Sequence, residues 1–155
     1  LWRNIEIMIT VLFICQGNIC RSVMAEFVMK HLVAQAGRTG EFVIDSAATS
    51  TEEIGNGPHY GVRQKLREVN IPCLSHRARQ ITPADYREYD LLIGMDDANL
   101  RNMRRIFGGD PDGRCHLLLD YTSRPGSIAD PWYTGNFDDT YRDVDAGCRA
   151  LLGQL

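Results

Sequence analysis

The run Val11-Leu12-Phe13-Ile14-Cys15-Gln16-Gly17-Asn18-Ile19-Cys20-Arg21-Ser22 constrains this chain more than any other stretch. Four apolar residues lead into Cys15, a short polar loop follows, and a helical pattern begins at Ser22, which reads as strand, loop, helix. A loop that hands over to a helix N-terminus turns several backbone N–H groups toward the positive end of a helix dipole and makes an anion nest. Cys15 and Arg21 project into this nest. A phosphate-like dianion is the expected occupant, with Arg21 gripping two of its oxygens and Cys15 beneath the central atom. The same surroundings stabilise a thiolate, so the Cys15 thiol is expected to ionise below its free value of about 8.5 and to serve as a nucleophile. Ser22 can give its hydroxyl to the sulfur and can also cap the helix; the two readings are compatible. A cysteine and an arginine at this separation recur by chance. The preceding strand, the Gly17-Asn18 turn and the following helix give the pair its weight.

With 155 residues the chain has the size of one domain and can bury a substantial core. Charged residues make up 24% and the net charge is −3, which leaves no basic footprint for nucleic acid. No apolar run is long enough to span a bilayer, and the N-terminal apolar patch contains Glu6 and lacks a small-residue cleavage site. The expectation is a cytoplasmic protein without membrane contact, a single domain over residues 1–155. Because the chain starts at Leu1, either Met8 is the native start and residues 1–7 are upstream, or the initiator is missing. Five cysteines in spacings that match neither a zinc site nor a secreted disulfide framework point to reduced thiols. Cys15 and Cys20 share one loop. If peroxide oxidises Cys15 to a sulfenic acid, Cys20 can resolve it as a disulfide; the plainer alternative is that Cys20 fills space. Cys73, Cys115 and Cys148 read as core or surface thiols.

The rest of the chain alternates strand and helix. Strands are expected at residues 8–14, from Glu41 to Asp45, from Tyr89 to Gly94 and from His116 to Leu119. Helices are expected at about 22–36, 58–69, from Thr82-Pro83, from Asp96 to about Phe107 and at 137–152. Ser46 should emerge in the loop after the second strand, where parallel sheets bind ligands. Arg63, Lys65 and Arg67 read as a solvated face of the second helix. Short connections and a right-handed βαβ start indicate a doubly wound α/β domain with four parallel strands and helices on both faces.

A thiolate that displaces an oxygen from phosphorus needs an acid to protonate the leaving group. Twenty carboxylates are available. Asp130 stands out, since Pro131 fixes the backbone after it and the surrounding loop contains glycine and serine. An ordinary Asp-Pro turn is the competing reading.

The segment Cys15 to Ser22 with Met24-Ala25-Glu26, together with Asp45-Ser46, Ser75 to Gln80, Met95 to Leu100 and Asp130-Pro131-Trp132-Tyr133, resembles the low-molecular-weight protein tyrosine phosphatase family over nearly the whole chain. The resemblance implies a flavodoxin-like sheet in the order 2-1-3-4. It also implies Asp130 as general acid and base, a loop of Gln16, Gly17, Asn18, Ile19, Cys20 and Ser22 around the phosphate, and Asn18 held by Ser46 and His76. His76 is read as structural support. Trp132 and Tyr133 are expected to wall the slot for an aryl phosphate, with core packing as the alternative. The expected reaction is metal-independent and cofactor-free: Cys15 attacks, a phosphocysteine forms, and water releases inorganic phosphate from it. The expected partner is a phosphotyrosine-containing protein. Family members commonly carry both Cys15 and Cys20, which supports redox sensitivity.

Three positions depart from the family's commonest pattern. Val23 stands for a proline at the helix start, Trp132 for a commoner tyrosine, and Glu52 for an aromatic. Glu52 leaves one side of the slot acidic and should repel acidic phosphopeptides. Ile19, where protein-arginine phosphatases carry threonine, favours phosphotyrosine over that alternative. An arsenate reductase of the same fold needs further cysteines after the third strand, and Asp96 to Phe107 contains none. A non-catalytic phosphate-binding module, or a phosphocysteine carrier of sugar transport, would not need Asp130.

Overall fold

A computed structural model describes residues 8–155, and strand β1 (Ile9–Cys15) lies at its centre. Val11 through Ile14 have no solvent exposure, because β1 is paired on both edges and covered on both faces. Helix α1 (Arg21–Gln35) connects it to β2 (Phe42–Ala48), and β3 (Leu91–Gly94) and β4 (Cys115–Leu117) complete the sheet. All pairings are parallel and the order is β2-β1-β3-β4, as expected. The remaining helices are α2 (Tyr60–Glu68), α3 (Pro83–Glu88), α4 (Asp97–Phe107), α5 (Pro131–Thr134) and α6 (Phe137–Gly153). The reading of residues 1–7 as an upstream segment lies outside the described residues. No described helix is long and apolar enough to cross a membrane.

Alternate residues of a strand point to opposite faces, and β1 divides the core accordingly. Val11, Phe13 and Cys15 join a large cluster with α1 and α6, whereas Leu12 and Ile14 join Tyr86, Met103 and Cys115 on the other face. Helix α1 is buried on every side from Arg21 to Met29, since it sits between the sheet and α6. Its sequence therefore has no polar stripe, and the polar residues it does carry there, Arg21, Ser22 and Glu26, are buried at 5% exposure or less. Such groups persist in a core only when they are partnered or held ready for a ligand.

Several boundaries differ from the sequence reading, each for a packing reason. β2 continues past Asp45 to Ala48, because Ser46, Ala47 and Ala48 pair with Phe13, Ile14 and Cys15. Ser46 is thus a buried strand residue and not a loop residue. β4 ends at Leu117, and Leu118–Tyr121 turns into a 3-10 helix. Ser22 does not cap α1; Cys20 occupies the N-cap position without a side-chain cap, and the Ser22 hydroxyl is committed elsewhere. Lys65 is not a solvated residue: its side chain is 14% exposed and its ammonium pairs with Glu68 at 2.8 Å and with Asp138. Asp96 does cap α4, accepting from Asn99 N at 2.7 Å. Cys73 is exposed, Cys115 and Cys148 are buried, and all five thiols are free.

Candidate active site

β1 delivers Cys15 to the C-terminal edge of the sheet, and the loop Gln16–Cys20 wraps there before α1 begins. Carbonyls on both sides of the Gly17-Asn18 turn are claimed by neighbouring backbone. Cys15 O accepts from Thr49 N, Gln16 O from Ser50 N, and Ile19 O from His59 N, all at 2.9 to 3.1 Å. Its amides, from Gln16 to Cys20, have no acceptor among the described residues. Claimed carbonyls and unclaimed amides are the polarity an anion nest requires. The loop turns at Asn18, whose φ of 60° places it in the left-handed region that asparagine tolerates; Gly17 does not take that role.

Asn18 is fully buried and its amide orientation is fixed by its neighbours. Arg79 N donates to Oδ1 at 3.3 Å, so Oδ1 is the oxygen, and His76 Nε2, 2.9 Å away, must donate to it as well. Asn18 Nδ2 then donates to Ser46 Oγ at 3.0 Å and to Ser22 Oγ at 2.8 Å. Ser46 passes its own hydrogen to Glu26 Oε1 at 2.6 Å. Ser22 Oγ also accepts from the Cys15 thiol at 3.0 Å, and Ser22 N lies 3.4 Å from the same sulfur. Burial, with Lys30 and Arg79 adding to it, lowers the His76 pKa below the ordinary imidazole value, although Glu26 and Asp45 pull the other way.

Arg21 is 2% exposed, yet its guanidinium is anchored on one side only. Nη1 donates to Asp96 Oδ2 at 2.7 Å and to Ile128 O at 2.9 Å, and Nη2 faces Asp130 Oδ2 at 3.3 Å. Nε has no partner among the described residues. Burial alone would lower the Arg21 pKa, but the negative charges at Cys15, Asp96 and Asp130 outweigh it and hold the value above the usual one. Cys20 moves the other way: burial, then the charges at Cys15 and Asp130, push its thiol up to about 12.

A cavity of about 170 Å³ opens over the loop. Cys15, Gln16, Gly17, Ile19, Cys20 and Arg21 line its floor, and Glu52, Asp130, Trp132 and Tyr133 its sides. Asn18, Ser22, Ser46 and His76 lie beneath and do not line it. Trp132 and Tyr133 are 60% and 76% exposed, so they stand at the mouth and are not core. Asp130 is the N-cap of α5, accepting from Trp132 N through Oδ1 at 3.0 Å, which turns Oδ2 toward Arg21.

Three carboxylates were absent from the sequence reading of the site. Glu53 lines the cavity beside Glu52. Asp96 holds Arg21, and its position just past the end of β3 was the available signal, since ligands gather at that edge of a parallel sheet. Glu26 was signalled by its place on an apolar helix, one turn after Ser22 and one before Lys30.

A buried cysteine sulfur, an arginine whose Nε has no partner and a loop of amides without acceptors among the described residues form a site with the polarity to receive an oxyanion on an α/β sheet. The sequence model of the low molecular weight phosphotyrosine protein phosphatase family matches residues 10–155. The chain is 39% identical over 150 residues to the low molecular weight protein-tyrosine-phosphatase YfkJ of Bacillus subtilis, covering 96% of each. It is 38% identical to the human low molecular weight phosphotyrosine protein phosphatase, over 92% of this chain and 93% of that one. The crystal structure of YfkJ superposes with a TM-score of 0.92 over 95% of this chain and 94% of that chain. A Drosophila arginine phosphatase, at 29% identity, superposes with a TM-score of 0.83 over 93% and 96%. The chain belongs to the low molecular weight phosphotyrosine protein phosphatase family.

Proposed function

We propose that this protein hydrolyses phosphotyrosine in protein substrates through a phosphocysteine on Cys15. The observation that carries the reading is the unpaired, buried Arg21 Nε beside a sulfur and a loop of unclaimed amides. A phosphoryl group supplies the oxygens these donors lack, and its phosphorus then sits over Cys15 Sγ. The sulfur anion is met by the Ser22 hydroxyl and the Ser22 amide. It attacks phosphorus in line while Arg21 and the loop amides take the charge on the equatorial oxygens.

Asp130 serves as the acid. Trp132 N occupies Oδ1, so Oδ2, which faces Arg21 Nη2 until a phosphoryl group takes that donor, is the oxygen that delivers the proton to the departing phenolic oxygen. Once ionised, Asp130 takes a proton from water, which attacks the phosphocysteine and releases inorganic phosphate with the free thiolate. The exposed rings of Trp132 and Tyr133 suit an aryl group at the mouth, and Ile19 adds apolar lining. The test is hydrolysis of para-nitrophenyl phosphate in chelator, beside Cys15→Ser and Asp130→Ala. The expected result is no turnover for Cys15→Ser, and for Asp130→Ala retained phosphate binding with turnover down by about 10²-fold. Wild-type rates from Cys15→Ser would overturn the reading. Rates on phosphotyrosine, phosphoarginine and phosphoserine peptides assign the substrate class.

A further inference from the structure

Trp132 lines not only the slot but also a second groove of about 700 Å³. The groove is built on His59, whose ring stacks on Tyr60 at 4.7 Å and on Phe137 at 5.2 Å and meets Trp132 edge-on at 5.8 Å. Its position is locked: His59 Nδ1 accepts from Gly61 N at 3.0 Å, capping α2, and His59 N donates to Ile19 O of the phosphate loop. A β-carbon on Gly61 would fall 2.5 Å from the Phe137 ring, so this position needs glycine for the floor to close. Tyr60 nevertheless remains 70% exposed and Trp132 60%. Two large rings left open beside a site mark a contact surface.

Carboxylates outnumber cations on this surface. Glu52, Glu53 and Asp130 stand in the slot, Glu68 and Asp138 in the groove. The cations among the lining residues are Arg21 and Lys65, and each already contacts two carboxylates. Exposed rings bordered by carboxylates suit one side chain above others, a guanidinium, which stacks its plane on an aromatic face while its N–H groups reach an acid. A glutamate or aspartate in the same place meets only repulsion. The occupant must be continuous with whatever enters the slot, because Trp132 is common to both.

We infer that this groove docks the polypeptide flanking the phosphorylated residue of the substrate and selects arginine there. The inference rests on the phosphatase reading of the slot, and the experiment separates the two. Free phosphotyrosine, a phosphotyrosine peptide with flanking arginines and the same peptide with flanking glutamates are compared at low salt. Wild-type protein and the variants Tyr60→Ala, Glu68→Gln and Asp138→Asn are used, all changed outside the catalytic residues. The expected result is a kcat/KM about tenfold higher for the arginine peptide than for the glutamate peptide, carried mainly by KM and eroded by salt. That preference should fall about threefold or more in each variant while free phosphotyrosine turnover stays at the wild-type value. The Asp138 and Glu68 side chains are 79% and 50% exposed, and each single variant leaves Lys65 the other carboxylate as its partner. Equal rates for the two peptides, a preference for glutamate, or a preference untouched by all three variants would overturn the groove as the docking site. Failure to hydrolyse free phosphotyrosine would instead overturn the reading of the slot.

Discussion

Asp96 holds Arg21 by one oxygen and its own helix by the other: Oδ2 accepts from Arg21 Nη1 at 2.7 Å, and Oδ1 from Asn99 N at 2.7 Å. A single carboxylate thus ties the guanidinium to the start of α4, and the direction in which Nε points follows from that anchor. Asp96→Asn keeps the cap through its amide oxygen but replaces an accepting oxygen with an amide facing Nη1. The expected outcome is a fall in kcat/KM of about 10- to 100-fold with a parallel weakening of inhibition by inorganic phosphate, and little change in melting temperature. Steady-state kinetics with phosphate as a competitive inhibitor check it.

Asn18 does two things at once, holding a left-handed turn and fixing the Ser22 hydroxyl oxygen beside the sulfur. Two substitutions separate them. Asn18→Gly keeps the backbone at no steric cost and loses the hydrogen bonds, so turnover should drop while stability falls modestly. Asn18→Ala adds a left-handed penalty of about 1 kcal/mol and should be the less stable of the two. Urea unfolding alongside kcat measurements distinguishes the effects; equal stability of the two variants would remove the strain argument.

His76 is neutral in its buried position because its folded pKa lies below the unfolded value near 6.5. The unfolded chain therefore binds the proton more readily, and stability rises with pH through this window. Its contribution is fully present above about pH 6.5 and is lost as pH falls through the lowered folded pKa. His76→Gln, which retains a donor for Asn18, should flatten the change in unfolding free energy between about pH 5 and 7. Denaturant unfolding at several pH values in that range is the measurement.

Cys20 carries a thiol pushed up to about 12, first by burial and then by the negative charges at Cys15 and Asp130. At neutral pH iodoacetamide should therefore label Cys15 and spare Cys20, with phosphate protecting Cys15. Peroxide changes the balance. The Cys15 thiolate becomes a neutral sulfenic acid with release of hydroxide, one of the charges opposing Cys20 ionisation disappears while burial and Asp130 remain, and the Cys20 thiol can displace water to close a disulfide. Cys20→Ser should keep its basal turnover but recover far less activity than wild type when dithiothreitol follows peroxide. Equal recovery would assign Cys20 to packing alone.

The first strand, the loop after Cys15 and the start of the first helix were legible because they are local: an apolar run ending in Cys15, a turn and a helix start lie within twelve consecutive residues. Sheet order and the support from Ser46 and His76 were legible only through family resemblance. What escaped was long-range or very short. The pairing of Ser46 with Phe13 overrode the weak strand preference of Ser-Ala-Ala, and nothing local reports that pairing. Helix α5 has four residues, too few for a periodic pattern, although Asp130 and Pro131 are a sound cap and first position. Asp96 was visible as a cap, and its second oxygen acquired a partner 75 residues away. His59 carried no signal at all, since stacking on Phe137 depends on how α2 meets α6.

That meeting of helices turns on Gly61, and two opposing effects decide what alanine would do there. Alanine is a better helix residue than glycine by up to about 1 kcal/mol. The new methyl, however, would lie 2.5 Å from two carbons of the Phe137 ring, and overpacking of this kind typically costs about 1–3 kcal/mol. The clash is with a ring stacked on His59 and anchored at the first residue of α6, so it has little room to retreat. The net expectation for Gly61→Ala is destabilisation of about 1–2 kcal/mol, read as a lower urea midpoint with an unchanged slope. Because His59 also touches Trp132, the same variant should raise KM for peptide substrates more than it lowers turnover of para-nitrophenyl phosphate. A stabilised Gly61→Ala protein would mean that α2 and α6 slide apart freely, and that the aromatic floor is not a fixed surface.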